Sequence, residues 1–198
     1  MNSAVTKTDL GAIVVVDMLY DFIDGSMACI EGENAARKAA AFIDNNQRLK
    51  VFYVADTHPA THCSFKEYGG LWPAHCVEGS RGAKIHSTFY SLLDKDNCPQ
   101  AGNIFRKGTK VGEEQYSGFN AETAFDEILC KVLPKKVLLC GIATEYCIKA
   151  TCQDLLEAGK DVVLIEDALG YVTEEGHLAA LEEMKAAGAK VMLSVRND

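Results

Sequence analysis

Residues 137–165 read VLLCGIATEYCIKATCQDLLEAGKDVVLI, an apolar block, a helical pattern and a second apolar block. Positions 137–140 are uninterrupted apolar residues, and Ile148, Cys152, Leu155 and Leu156 then recur at helical spacing over 145–158. Gly159 stops that helix, and the next strand, 161–165, is apolar from Val162 onward. Strand, crossover helix and strand make the unit that pairs two strands in parallel. Blocks of Val, Ile and Leu, rather than alternation with polar residues, belong to strands covered on both faces.

The same grammar extends in both directions. GAIVVV at 11–16 is a strand ending in Asp17, and 34–49 places Ala36, Ala39, Ala40 and Ile43 on one helical face. A strand at 51–55 ends in Asp56, and a short one at 103–106 leads to Lys107. A helix is predicted at 120–130 with Ala121, Phe125, Ile128 and Leu129 inward. Another is predicted at 174–187, with Leu178, Leu181 and Met184 aligned and Gly188 as its stop, followed by a strand at 191–195. Six strands alternating with helices predict an α/β fold of three layers, α/β/α, around a six-stranded parallel sheet. Residues 1–198 are read as one domain, a length at which roughly two-thirds of the extended-chain surface is buried.

Composition narrows the classes of partner. The net charge of −8, from 20 Lys plus Arg against 28 Asp plus Glu, argues against nucleic acid or an anionic membrane as partner. It leaves a small ligand open. Eight cysteines form an even set that invites a secreted, disulfide-bonded reading. The polar residues of 1–10 and the brevity of the apolar run before Asp17 oppose a signal peptide, and no stretch is long enough to span a bilayer. A cytoplasmic protein with reduced thiols is the expectation, with Cys130, Cys140 and Cys152 as small buried hydrophobes.

Ligands of open parallel sheets collect beyond the carboxyl ends of the strands. Those ends carry Asp17, Asp56 with His58, Lys107, and the segment 141–147. With Thr144 as N-cap, Cys147 falls in the first turn of a helix, where free N–H groups and the positive dipole end favour a thiolate. A buried structural thiol is the alternative. Asp17 beside Lys107 suits a general base, although a turn former and a solvated strand-end lysine would look the same. Asp56 and His58, two apart on an extended backbone, point to one side, and His62 and His75 follow in the long irregular stretch 57–99. A carboxylate with imidazoles suits a borderline divalent ion such as zinc, iron or manganese. Trp72 offers either an apolar wall for a flat ligand or a core clamp for this loop, and Phe22 and Tyr116 could extend such a wall.

In this order the motifs VVVDMLYDF (14–22), DTHP (56–59), GGLWPAHCVEGS (69–80), RKG (106–108), YSGF (116–119) and GIATEYC (141–147) resemble the nicotinamidase/pyrazinamidase branch of the isochorismatase-like cysteine hydrolases. The resemblance implies that architecture, with Cys147 as nucleophile, Asp17 as base and Lys107 as third catalytic member. It implies a cis peptide between Ile142 and Ala143 and an oxyanion hole from the N–H groups of Ala143 and Cys147. Asp56, His58 and His75 match the family's metal ligands, with Zn2+ the expected ion and Fe2+ or Mn2+ as alternatives. His62 matches a position near the metal in some members. Phe22, Trp72, Tyr116 and Ile142 match the pocket around a pyridine ring. The implied substrate is nicotinamide, with pyrazinamide second, in NAD salvage, by a homo-oligomer. Leu19, Tyr20 and Thr57 depart from the usual pattern, and the turn 24–27 is one residue short. The competing readings are a hydrolase of another small amide or an isochorismate-like substrate, or a non-enzymatic metal-binding protein on the same fold.

Overall fold

The computed structural model describes residues 11–195, so the reading of 1–10 lies outside the described residues. Strand β1 (Ala12–Val16) is buried at every position, as a central strand must be. It is followed by the short helix α1 (Tyr20–Ile23), helix α2 (Gly32–Asn45) and strand β2 (Lys50–Asp56). Beyond a long irregular stretch come β3 (Ile104–Lys107), the four-residue helix α3 (Leu129–Val132) and β4 (Lys136–Gly141). A π-helical turn (Thr144–Ile148) then runs directly into α4 (Lys149–Glu157). Strand β5 (Asp161–Leu169), helix α5 (Glu174–Ala186) and strand β6 (Lys190–Met192) complete the order.

The six strands form one all-parallel sheet in the order β3-β2-β1-β4-β5-β6, as the sequence predicts. Alternate residues of each strand feed different cores. Ile13, Val15, Val51, Tyr53 and Leu138 pack with Ala35, Ala36, Ala39 and Ile43 of α2. Val14, Val16, Val54, Val137 and Leu139 pack with Leu155 of α4 and Leu181 and Met184 of α5. That two-sided burial is why the strands read as unbroken apolar blocks. Truncating Leu139 to Ala costs about 2–5 kcal/mol.

The chain order reverses between β1 and β4, and a crevice opens at such a point beyond the strand ends. Gly141 allows β4 to turn there: its φ is +135°, and an added Cβ would meet the Val16 carbonyl.

Four local expectations are corrected. The helix at 120–130 shrinks to α3, because β3 is a sheet edge that needs hydrogen-bond partners. Glu122 supplies them, exchanging both backbone bonds with Arg106, while Thr123 Oγ1 accepts from the amides of Phe125 and Glu127. Phe125 is consequently exposed, and Cys130 is only half-buried. The last strand stops at Met192, since the amide and hydroxyl of Ser194 both turn to the Asp167 carboxylate. On α5 the inward face is His177, Ala180, Leu181 and Met184, leaving Leu178 exposed. Thr144 is not a side-chain cap; it is fully buried and bonded to Gly170.

Candidate active site

Three strand ends deliver the central cluster. Asp17 follows β1 in a left-handed conformation with φ of 51°, donating its amide to Val54 and accepting the Asp56 amide on Oδ1 at 2.9 Å. Lys107 ends β3, two strands away, and its ammonium lies between both acids. Its Nζ is 2.9 Å from Asp17 Oδ2, 2.5 Å from Asp56 Oδ1 and 3.5 Å from Cys147 Sγ. Cys147 comes from the π-helical turn beyond β4, and ligand atoms of Asp17, Asp56 and Cys147 all lie within 4.8 Å of one another. The three residues Asp17, Lys107 and Cys147 are buried.

Burial at this density sets the charges. Desolvation raises the Asp17 carboxyl to about 6, with Lys107 partly opposing it. Asp56 is also desolvated, yet Lys107 and His58 outweigh this and hold it well below the carboxylate range. Burial works against the Lys107 charge, but Asp17 and Asp56 keep it firmly protonated. Desolvation pushes the Cys147 thiol well above its ordinary value despite Lys107, with Asp17 and Asp56 adding to the rise. Burial therefore opposes the thiolate that a helix terminus would favour, and a carboxylate lies beside the sulfur. Ala143, at the same turn, follows a cis peptide from Ile142, and its N–H has no acceptor among the described residues.

A second cluster abuts the first. One ligand atom each of Asp56, His58 and His75 falls within a 4.8 Å group, with His58 Nε2 3.4 Å from Asp56 Oδ2. The surroundings suit a metal. His58 Nδ1 donates to the Gly108 carbonyl at 2.9 Å and His75 Nδ1 to the Pro73 carbonyl at 2.8 Å, which leaves Nε2 as the nitrogen each ring would offer to an ion. His62 differs. It stacks on His58 at 4.1 Å, but its Nδ1 meets Ser64 Oγ at 2.7 Å and its Nε2 meets the Glu113 carbonyl at 3.0 Å, so neither nitrogen is free.

Phe22, Trp72 and Tyr116 line one cavity together with Asp56, His75, Ala143 and Cys147. The Trp72 indole N–H donates to the Tyr116 hydroxyl at 3.1 Å. Ile142 does not line it: the side chain is buried and directed toward Gly32 and Gly170. Sequence reading missed five other lining residues, Met27, Cys29, Glu114, Tyr146 and Val172. Tyr146 precedes the thiol inside GIATEYC, and its ring meets Trp72 edge-on at 5.1 Å. Val172 follows the carboxyl end of β5 and would have been found had that strand been read to its full length. A larger groove lined by Arg48, Lys136 and Ser194 contains no cysteine or histidine.

Residues 11–195 match the isochorismatase domain. The chain is a member of the isochorismatase-like cysteine hydrolase family. Within that family it is 30% identical over 203 residues to the nicotinamidase of Escherichia coli, covering 90% of this chain and 92% of that protein. The pyrazinamidase of Pyrococcus horikoshii in complex with zinc is 36% identical with a TM-score of 0.78, covering 92% of this chain and 98% of that one. PnC1 of L. infantum in complex with nicotinate is 28% identical with a TM-score of 0.80, covering 98% and 97%. Among the described residues no helix is long and apolar enough to cross a membrane.

Proposed function

We propose that this family member is a nicotinamidase, hydrolysing nicotinamide to nicotinic acid and ammonia through a cysteine thioester, with pyrazinamide as a second substrate. One observation carries the reading: a thiol, a carboxylate and an ammonium within contact distance abut a carboxylate–bis-imidazole set, and Cys147, Asp56 and His75 of the two clusters line one cavity. Relatives named nicotinamidase and pyrazinamidase, one of them holding zinc, support it.

Asp56, His58 and His75 would hold a divalent ion, zinc by preference of this donor set, with Fe2+ or Mn2+ as alternatives. When bound, it supplies a Lewis-acidic position for the pyridine nitrogen. The aromatic wall of Phe22, Trp72 and Tyr116 holds the ring face.

The remaining chemistry belongs to the chain's own side chains. Because the thiol resists ionisation, Asp17 takes the Cys147 proton as sulfur attacks the amide carbon, not beforehand. The amides of Ala143 and Cys147 hold the oxyanion. Protonated Asp17 passes its proton to the leaving nitrogen, ammonia departs, and the thioester remains. Asp17, again ionised, then deprotonates a water that attacks the thioester, and the proton returns to sulfur. Lys107 stays cationic throughout, balancing Asp17 and Asp56.

The deciding assay measures ammonia released from nicotinamide, pyrazinamide and aliphatic amides by the wild type and Cys147→Ala. Turnover of the pyridine amide that vanishes in Cys147→Ala is expected; substantial turnover by a folded Cys147→Ala would refute the covalent route. A cytoplasmic homo-oligomer with no nucleic-acid partner, acting in NAD salvage, completes the proposal.

A further inference from the structure

His177 is buried one layer behind the nucleophile's turn and touches neither the cavity nor the metal set. Its Nδ1 lies 2.9 Å from Thr144 Oγ1. Thr144 has one hydroxyl proton, and that proton goes to the Gly170 carbonyl at 3.0 Å. The Nδ1 must therefore carry the ring proton and donate it to Thr144. The Thr144 amide donates to the same Gly170 carbonyl at 2.9 Å, and the Gly170 amide returns to Gly141 at 3.0 Å. Residues 141 and 144 are thus held from behind on either side of Ala143, whose N–H faces no acceptor among the described residues.

We infer that His177, acting through Thr144, is a positioning residue that fixes the direction of the Ala143 N–H toward the developing oxyanion. This rests on the amidase reading of the site. The imidazole is itself fixed: its ring lies against Tyr171 at 4.4 Å, and its amide donates to Thr173 at the start of α5. Burial lowers its basicity, so it serves as a neutral donor. Oxyanion donors need preset geometry, because reorientation during the reaction forfeits their advantage. A histidine at this place serves that need without meeting substrate.

The test compares His177→Ala, His177→Asn and His177→Gln, with Thr144→Val as a second way to cut the link. Asparagine presents an N–H close to the position of Nδ1, whereas glutamine reaches toward that of Nε2. The probe of geometry is nicotinaldehyde. Cys147 sulfur adds to its carbonyl carbon, the C=O double bond becomes a C–O single bond, and the thiol proton passes to Asp17 or to that oxygen. The new C–O oxygen takes the oxyanion's place. Expected for His177→Ala and Thr144→Val is kcat lowered about 10- to 100-fold, with nicotinaldehyde affinity falling in parallel and KM for nicotinamide unchanged. His177→Asn should restore most of both and His177→Gln should not. Deuterium uptake by the peptide 141–148 should rise in His177→Ala and Thr144→Val and fall back in His177→Asn. Unchanged kcat in His177→Ala or Thr144→Val, or equal losses in the Asn and Gln variants, would overturn the inference. Uptake needs no substrate. A wild type that hydrolyses no amide would refute the proposed function, while the uptake pattern still shows whether His177 holds the turn.

Discussion

The ammonium of Lys107 lies 2.9 Å from Asp17 Oδ2, with both side chains closed to solvent. Asp56 Oδ1 lies 2.5 Å from the same nitrogen. One buried cation is therefore shared by two buried acids, and each partner's protonation state depends on the others.

Removing that cation is expected to be costly twice over. Lys107→Met leaves Asp17 buried without a counter-charge and Asp56 with His58 alone, which should destabilise the fold by about 3–5 kcal/mol. Denaturant unfolding measures this, and ammonia release should fall to background. A variant as stable and active as the wild type would contradict the charge arrangement.

The acid limb of activity should report Asp17. Its carboxyl is raised to about 6 by burial, and it must be ionised to receive the thiol proton. As pH falls through about 6 the base becomes protonated, so kcat/KM should decline, approaching tenfold per pH unit below that point. Lys107 stays protonated across this range and adds no limb. A flat profile from pH ~5 to ~8 would exclude Asp17 as base.

Gly108 should be required for metal affinity although it binds no metal. It has φ of +66°, and an added Cβ would lie 2.4 Å from His58 Cε1, while its carbonyl fixes that ring. Gly108→Ala should weaken zinc binding by about 10- to 100-fold in titration calorimetry, within the range seen when outer partners of metal ligands are lost. Equal affinity in the two proteins would show that the ring is oriented otherwise.

Tyr116→Phe should separate binding from chemistry. The substitution removes the hydroxyl that accepts from Trp72 at 3.1 Å and leaves Asp17, Lys107 and Cys147 untouched. A KM for nicotinamide raised about 3- to 10-fold, roughly 1 kcal/mol, with kcat nearly unchanged, is expected in steady-state assays. A fall in kcat alone would place Tyr116 in the reaction itself.

How far each feature could be read from residues follows from the range of the forces behind it. Continuous apolar blocks at β1, β2, β4 and β5 announced a doubly covered parallel sheet, because local periodicity reports which faces are buried. The rule that strand ends carry ligand groups then singled out Asp17, Asp56, Lys107 and Cys147. Local pattern misled where a distant partner competed. The helix predicted at 120–130 gave way to the edge of β3, and His177 rather than Leu178 faced inward because Thr144 and Tyr171 receive it.

Sequence by itself determined the layer architecture and the types of side chain available, since both depend on short-range composition and spacing. Only the tertiary structure decided that Asp17, Lys107 and Cys147, from three separate parts of the chain, meet in one solvent-free space. It also set the direction of their pKa values, pushing the Cys147 thiol up and the Asp17 carboxyl to about 6, because desolvation and charge coupling arise only once the strands have brought them together.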